Sequence, residues 1–267
     1  MQDNSSVPVK MPMLLKGTRI LICRPEDSAR ELALALSAIG AECRIFPTLA
    51  IKELELSETD RQLILNLDQY QHIIVTSQHA AKLGLAQIDQ YWPQFPMQQL
   101  WYPIGEKTAS LLQEEHLNII HPDKTLTSES LLSIPALQKV KHQKVLILKG
   151  MEGRDLLSAT LIKRGAQVDE LALYQRSCPR YSSEEILNAL ETFKADYFVT
   201  LSGETLQNLI TLSDQVAFDL RHGIFIVPSH RVANIAYQRG FKSVLIPANL
   251  KPIDLIKSIT NHKKNLK

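Results

Sequence analysis

Short apolar runs rich in valine and isoleucine alternate along the chain with longer stretches in which apolar residues recur at helical spacing. One such stretch places Leu32, Leu36 and Ile39 on a single helix face. This alternation is typical of βαβ units, in which helices connect parallel strands. It predicts strands at 19–23, 44–50, 72–76, 101–104, 118–121, 144–148, 168–175, 196–200, 224–227 and 243–246.

The first part of the chain is repeated about halfway along. Residues 19–51 align with residues 144–176 without a gap, at a shift of 125 positions. In each copy an apolar run ends at a cation, Arg24 or Lys149. Two later pairs, IIVTSQHAA with YFVTLSGET and IGEKTA with PSHRVA, have nearly the same shift. The repeat predicts two similar α/β units, and a site between them could hold a large ligand.

The length of 267 residues suggests two domains, and the 45% apolar and 22% charged fractions are ordinary for a globular protein with a core. The net charge of +2 gives no reason to expect a nucleic-acid surface, which needs a clustered basic stripe. A small anionic ligand remains compatible with this charge.

The three cysteines, Cys23, Cys43 and Cys178, have no CxxC spacing, and two of them lie inside apolar runs. We expect reduced thiols in the core, as in a reducing cytoplasm. Residues 1–13 lack the apolar stretch of a signal peptide, and no segment approaches the roughly 18 apolar residues of a membrane span. The expected location is the cytoplasm, without membrane contact.

The matching runs 44–51 and 170–177 contain residues that suit a central parallel strand poorly, such as Pro47 and Glu170. They could pair as a two-stranded bridge, so we favour a discontinuous organisation over a simple division near residue 130. The expected parts are an α/β domain of 14–46 plus 178–262, a second of 52–169, linker strands at 47–51 and 170–177, and a flexible N-terminus at 1–13.

Ligands of open parallel sheets collect at the carboxyl ends of the strands, where helix N-termini present free N–H groups. Six such loops are readable, and together they favour an anion site. Ser77, Ser202 and Ser229 are N-cap candidates within them. The alternative is that these serines only cap helices, each contributing about 1 kcal/mol to stability. The loops lie at 24–26, 76–78, 105–108, 149–154, 200–203 and 229–231.

Several sharper motifs are absent from the sequence. KGMEGRD lacks the glycines of a dinucleotide-binding fingerprint or a P-loop, and the eight histidines form no metal-binding motif. TLSGET resembles the hydroxyl-rich loops that hold flavin phosphates, but only loosely. His79, just beyond a strand, is better explained as a surface or capping residue than as a base. Nucleotide, flavin and metal are therefore weakly supported.

Tyr174 lies late in the second matching run, where we expect it to face a gap between domains. It is either a structural tyrosine whose hydroxyl bonds to backbone, or a phenol that donates a hydrogen bond to a leaving group. The residues alone leave both interpretations open.

At these residues the chain resembles the uroporphyrinogen-III synthase family, from about Ile20 to Ile256. The order and spacing of the motifs carry the resemblance, and no single motif does. It implies two flavodoxin-like or Rossmann-like parallel-sheet domains joined by a two-stranded linker, with the first βα element exchanged between the halves. The motifs are Arg24-Pro25, TSQHA (76–80), IGEKTA (104–109), LILKGMEGRDLL (146–157), RGAQV (164–168), YQR (174–176), VTLSGE (199–204) and VPSHRVA (227–233).

The resemblance implies a cofactor-free lyase of tetrapyrrole and heme biosynthesis that acts on hydroxymethylbilane, a linear tetrapyrrole with eight carboxylates. Loss of the ring A hydroxyl would give an azafulvene, which the substituted carbon of ring D attacks to form a spiro intermediate. Fragmentation and reclosure would leave ring D inverted in uroporphyrinogen III. We expect a monomer, and a transient contact with the preceding pathway enzyme stays open.

Carried over by motif position, Tyr174 would assist departure of the hydroxyl as a weak acid. The last loop departs from the family's Gly-Pro-x-Thr-Ala pattern, which puts the role of Ser229 in doubt. Two other functions stay open: a flavodoxin-like enzyme that binds phosphate or FMN, and a non-catalytic two-domain ligand-binding protein. The substrate-binding residues implied are Arg24, Ser77, Gly105, Lys149, Gly150, Arg154, Thr200, Ser202 and Ser229.

Overall fold

The structure is a computed structural model that describes residues 13–122, 127–153 and 155–265, without the side chains of Asp27 and Ser28. The segment 1–13, expected to be flexible, lies outside the described residues except for Met13. The strands are β1 (Arg19–Ile22), β2 (Glu42–Ile45), β3 (Ala50–Glu53), β4 (His72–Val75), β5 (Leu100–Pro103), β6 (Lys144–Gly150), β7 (Gln167–Ser177), β8 (Tyr197–Val199), β9 (Ile224–Ile226) and β10 (Ser243–Leu245).

Helices connect most of these strands. They are α1 (Glu26–Ser37), α2 (Glu58–Leu65), α3 (Gln78–Asp89), α4 (Glu106–Glu114), α5 (Ser128–Leu131), α6 (Pro135–Gln138), α7 (Leu156–Lys163), α8 (Ser183–Leu187), α9 (Gly203–Gln215), α10 (His230–Gln238) and α11 (Pro252–Asn265). The chain divides into two compact units, unit 1 up to Ala50 and from Ser177 onward, and unit 2 from Ile51 to Arg176.

Unit 1 contains a five-stranded sheet in the order β10-β9-β8-β1-β2, whose neighbouring strands are all parallel. Side chains alternate between its two faces. Leu21 packs with Phe198 and Phe225 under α8, α9 and α10, whereas Ile20 and Ile22 pack under α1 and α11. The sheet is therefore buried on both faces, as the uninterrupted apolar runs predict.

Unit 2 contains a second five-stranded sheet in the order β3-β7-β6-β4-β5. The pairs β7–β6, β6–β4 and β4–β5 are parallel. Leu146 and Leu148 pack toward α2, α3 and α4, while Val145 and Ile147 pack toward α5, α6 and α7. Two mostly parallel sheets, each between layers of helices, confirm the predicted α/β class.

The internal repeat is visible in the strand boundaries. β1 and β6 begin at Arg19 and Lys144, and β2 and β7 begin at Glu42 and Gln167, so both pairs keep the shift of 125. The two copies nevertheless lie in different sheets. The segment β1–α1–β2 pairs with β8 of unit 1, and the segment β6–α7–β7 pairs with β4 of unit 2.

The strand predictions for two runs, 44–50 and 118–121, were wrong. The run 44–50 is interrupted, because β2 ends at Ile45 and β3 begins at Ala50. Pro47 lies in the break, since it has no N–H for a strand ladder, and its carbonyl accepts the Tyr181 hydroxyl at 2.8 Å. The run 118–121 forms only an isolated bridge between Ile119 and Trp101.

Candidate functional site

In unit 2 the carboxyl ends of parallel strands meet at one edge of the sheet, and five predicted site residues lie there. Ser77 follows β4, Gly105 follows β5, Lys149 and Gly150 close β6, and Tyr174 lies in β7. Because the sheet order is β7-β6-β4-β5, these residues belong to four adjacent strands. The topology therefore brings them to the same region of unit 2.

Tyr174 and Ser77 are in direct contact, with 3.0 Å between the phenol and hydroxyl oxygens. The ring reaches across β6 because Gly150 has no side chain: a Cβ there would lie 2.7 Å from Cζ of Tyr174. A register shift after Lys149 places Gly150 opposite Tyr174. Three residues predicted separately thus form one group, the Tyr174 cluster (Ser77, Gly150 and Tyr174).

Ser77 is also the N-cap of α3. Its backbone is extended, with φ −162°, and its Oγ accepts the Ala80 N–H at 3.1 Å. The simpler explanation of this serine, helix capping, is therefore correct but incomplete, because the same oxygen contacts Tyr174.

Tyr174 is more enclosed than predicted. Only 2% of it is exposed, and its carbonyl accepts the Met151 N–H at 2.7 Å. The His79 ring stands edge-on to the phenol ring, with 5.7 Å between centroids. The phenol bonds to a side chain and not to backbone, so neither of the two alternatives drawn from the sequence describes it fully.

Lys149 has a partner that the sequence reasoning missed. Its Nζ lies 3.0 Å from Oε2 of Glu170 on the neighbouring strand β7, and only 12% of the lysine side chain is exposed. The cation predicted to meet substrate carboxylates is thus already paired with one carboxylate. Glu170 could have been found from the sequence only by predicting the register of β6 against β7.

In unit 1 the carboxyl ends of the parallel strands also meet at one edge of the sheet, and four predicted site residues lie there. Arg24 follows β1, Thr200 and Ser202 follow β8, and Ser229 follows β9. The register aligns Ile22, Val199 and Ile226 across the three strands, so these strands end at the same level. The loops that carry the four residues are therefore neighbours.

Arg24 is a half-buried cation. Burial lowers the pKa of its guanidinium, and the nearby Glu31 carboxylate opposes that shift. Its guanidinium makes no hydrogen bond or ion pair with other described residues. Since a partly desolvated guanidinium is stabilised by a bound anion, Arg24 suits a carboxylate ligand.

Thr200 and Ser202 differ in how their hydroxyls are used. Thr200 is fully buried, and within the described chain its Oγ1 has no hydrogen-bond partner. Ser202 instead forms a capping box with Thr205: its Oγ accepts the Thr205 N–H at 3.0 Å, and Thr205 Oγ1 accepts the Ser202 N–H at 3.1 Å. Of the two hydroxyls, that of Thr200 is therefore the one without a hydrogen-bond partner among the described residues.

Thr48 is a further buried residue at this edge, and the sequence reasoning missed it. Its hydroxyl lies 2.9 Å from the Thr205 carbonyl and 3.3 Å from the Cys23 carbonyl, and its own carbonyl accepts the Asn208 side-chain N–H at 2.7 Å. These hydrogen bonds connect the segment after β2 to the end of β1 and to the first turns of α9. A lone threonine after a proline gives no sequence signal for this role.

Gly105 and Ser229 occupy N-cap positions without a side-chain hydrogen bond. Gly105 has a φ of +88°, a conformation that favours glycine. The Ser229 carbonyl accepts the Ala233 N–H at 2.9 Å, whereas the Ser229 hydroxyl makes no capping hydrogen bond. Both positions therefore leave the first N–H groups of α4 and α10 without a capping side chain.

Arg154, the remaining predicted residue, lies outside the described residues.

Among the residues that the structure describes, no group of three His, Cys, Asp or Glu side chains could hold a metal ion. No helix in this part of the chain is long and apolar enough to cross a membrane. The three cysteines are free thiols, and burial raises the pKa of Cys23 strongly.

A surface hollow in unit 2 lies apart from these residues. Glu53 and Glu55 line it together with Arg61, Gln87 and Tyr91. None of the predicted site residues that the structure describes contributes to it, and its two carboxylates would repel a polycarboxylate. The carboxyl edges of the two sheets remain the better candidates for an anionic ligand.

Comparison with known proteins gives a consistent result. The family model described as Uroporphyrinogen-III synthase HemD matches residues 30–257. The Uroporphyrinogen-III synthase of Salmonella typhimurium is 30% identical over 244 residues, covering 90% of this chain and 99% of the relative. That of Escherichia coli K12 is 29% identical over 246 residues, with the same shares covered.

Solved structures of low sequence identity share the fold. A mutant uroporphyrinogen III synthase from the extremely thermophilic bacterium Thermus thermophilus matches with a TM-score of 0.61 at 17% identity, covering 94% of this chain and 99% of the other. Uroporphyrinogen-III synthetase from Helicobacter pylori 26695 matches with a TM-score of 0.57 at 14% identity, covering 94% and 100%.

Proposed function

The chain belongs to the uroporphyrinogen-III synthase family, and from this we infer that it converts hydroxymethylbilane to uroporphyrinogen III. It is a cyclising lyase of heme biosynthesis: water is lost, and ring D is inverted as the macrocycle closes. The observation that carries this conclusion is the family match over residues 30–257, together with relatives that align over 90% of the chain.

The enzyme's task is to select a geometry. The bilane also closes without a catalyst, giving the uninverted isomer I, so the protein must present the hindered carbon of ring D to the azafulvene. Holding two reacting groups of one flexible molecule in a productive arrangement is a contribution that a preorganised site can make. Many fixed hydrogen-bond donors serve this purpose better than one strong acid.

We propose that the carboxyl edges of both sheets bind the substrate's carboxylates. The support is threefold: the buried Thr200 hydroxyl has no hydrogen-bond partner among the described residues, the Arg24 guanidinium is half-buried, and no side chain caps the N–H groups that follow Gly105 and Ser229. Donors of this kind hold anions without a large net positive charge. The proposed binding residues are Arg24, Ser77, Gly105, Lys149, Gly150, Arg154, Thr200, Ser202 and Ser229.

Tyr174 is proposed to assist departure of the ring A hydroxyl. Its support is the contact with Ser77, which places the phenol beside a hydroxyl at the N-terminus of α3. A neutral phenol is a weak acid, so its removal should slow the reaction and not abolish it.

The finer architecture is also a proposal. We assign one domain to 14–46 plus 178–262, a second to 52–169, and linker strands to 47–51 and 170–177. We further infer that a duplicated βα unit exchanged its first element between the halves. The equal shift of β1 to β6 and of β2 to β7, in sheets of different units, supports this exchange. We also propose that the protein is a monomer of the cytoplasm.

The deciding experiment supplies freshly generated hydroxymethylbilane to the purified protein and separates the oxidised porphyrin isomers. We expect isomer III at a rate far above the spontaneous closure, and only isomer I from a heat-denatured sample. Formation of isomer I alone by the native protein, at the spontaneous rate, would refute the assignment.

A further inference from the structure

The two residues of the Tyr174 cluster that carry hydroxyls are not equally exposed. Tyr174 is 2% exposed, with its ring against Gly150 and the His79 ring edge-on to it. Ser77 is half-buried and lies just outside the first turn of α3. A substrate at this edge of unit 2 would therefore meet the serine oxygen before the phenol oxygen.

The direction of the hydrogen bond between the two oxygens follows from the donors and acceptors present. A hydroxyl has one proton and two lone pairs. Ser77 Oγ already accepts the Ala80 N–H at 3.1 Å, so its second lone pair can accept the Tyr174 proton at 3.0 Å. Its own proton then remains for a third group.

The opposite direction is less favourable. If Ser77 donated to Tyr174, the phenol proton would need another acceptor, and the described residues offer the Tyr174 oxygen no second hydrogen-bond partner. A buried donor without an acceptor is costly. The geometry therefore favours Tyr174 as donor to Ser77.

Building on the proposed function, we propose that Ser77, and not Tyr174, contacts the leaving hydroxyl and donates the proton to it. As the bond between the hydroxyl oxygen and the ring A methylene carbon breaks, that oxygen takes the Ser77 proton and departs as water. The pyrrole electron pair forms the new C=N system of the azafulvene, which keeps its N–H and carries the positive charge. Ser77 regains a proton from Tyr174, and the phenolate is reprotonated by the proton that the cyclising pyrrole later loses.

The position of Ser77 at a helix N-terminus suits this step. Negative charge passes through Ser77 Oγ while the proton moves, and the Ala80 N–H already points at that oxygen. The N-terminal end of the twelve-residue helix α3 carries partial positive charge, which stabilises such transient anionic character. Tyr174 then supplies the proton that restores the Ser77 hydroxyl.

The test uses four variants of the full chain: Ser77→Gly, Ser77→Thr, Tyr174→Phe and the Ser77→Gly/Tyr174→Phe double variant. Glycine is tolerated at an N-cap, so Ser77→Gly removes the hydroxyl while keeping the helix start. Ser57→Gly, at the exposed N-cap of α2, is the matched control. Thermal melting verifies that every variant is folded.

We expect Ser77→Gly and Tyr174→Phe each to lower kcat roughly 10- to 100-fold, a larger effect than the change in KM that Ser77→Gly causes as one of several binding residues, and the double variant to lose no more kcat than the worse single variant. Ser77→Thr should keep most of the activity, and Ser57→Gly all of it. Wild-type kcat in Ser77→Gly, or losses that multiply in the double variant, would overturn the serine's role. Isomer III from the wild type would then still uphold the function itself.

Discussion

Gly150 lies directly against the ring of Tyr174, so close that a Cβ on the glycine would stand 2.8 Å from Cε2 and 3.1 Å from the phenol oxygen. The contact joins the end of β6 to β7 and lets the phenol reach Ser77 beyond β6. The absence of a side chain at Gly150 therefore leaves room for the Tyr174 ring, and the contact fixes the position of the phenol oxygen.

Replacing Gly150 with alanine should displace the Tyr174 ring. We expect Gly150→Ala to lower the free energy of unfolding by about 1–3 kcal/mol, as overpacking of a buried site does, and to reduce kcat. Urea unfolding and the isomer assay measure the two effects. Gly153→Ala is the control, since among the described residues its Cβ would meet only Lys149 Cε, at 3.9 Å. Equal behaviour of the two variants would show that the ring contact is unimportant.

Glu170 should compete with the substrate for Lys149. If Lys149 binds a substrate carboxylate, Glu170→Gln frees the cation and lowers KM several-fold, while Lys149→Met raises KM. Both differences should shrink at high salt, because screening weakens charge pairs. Lys144→Met removes a cation from the opposite end of β6 and should leave KM unchanged. A KM that is insensitive to both Lys149 and Glu170 would exclude the lysine from binding.

The Thr200 hydroxyl has no hydrogen-bond partner in the part of the chain that the structure describes, so its removal should raise stability and weaken substrate binding. Thr200→Val removes a buried hydroxyl without a partner, so we expect stability to rise by up to about 1 kcal/mol while KM rises several-fold. Thr260, in α11, has the same kind of unpartnered buried Oγ1. Thr260→Val should give the stability gain alone, and a similar KM change in both variants would contradict a specific role for Thr200.

His72 should make the stability of the protein depend on pH. It is 3% exposed, its Nδ1 lies 2.9 Å from the Tyr102 oxygen, and its Nε2 lies 2.9 Å from Oε1 of Gln143. Burial lowers its pKa below the usual 6.5, and the Gln143 hydrogen bond opposes that shift. The unfolded chain therefore binds this proton first as the pH falls.

The contribution of neutral His72 to stability is thus complete above pH 6.5 and declines below it, by at most about 1.4 kcal/mol per pH unit, until the folded pKa is reached. Denaturant unfolding between pH 7.5 and about pH 5 measures this slope. In His72→Asn the slope of stability against pH should be smaller than in the wild type. An unchanged slope in His72→Asn would assign the pH dependence to other groups.

Most of the fold could be predicted from the periodicity of the sequence. Strands such as β4 and β8 have apolar residues at nearly every position because helices cover both faces of the sheet. The prediction was wrong at Pro47, where the apolar run continues but the missing N–H ends the ladder. Short apolar runs such as 118–121 carry too little pattern to show whether a neighbouring strand pairs with them.

The sequence by itself determined the α/β class, the repeat, the family and the loops that follow the strands, because these depend on local spacing and on residue type. Only the tertiary structure decided which side chains meet. The register of β6 against β7 sets Lys149 opposite Ala172, within reach of the Glu170 carboxylate two residues earlier, and sets Gly150 opposite Tyr174. Burial then turns the phenol toward Ser77, because a buried hydroxyl requires a hydrogen-bond partner. Sequence distance gives no measure of such contacts, since Ser77 and Tyr174 lie far apart along the chain.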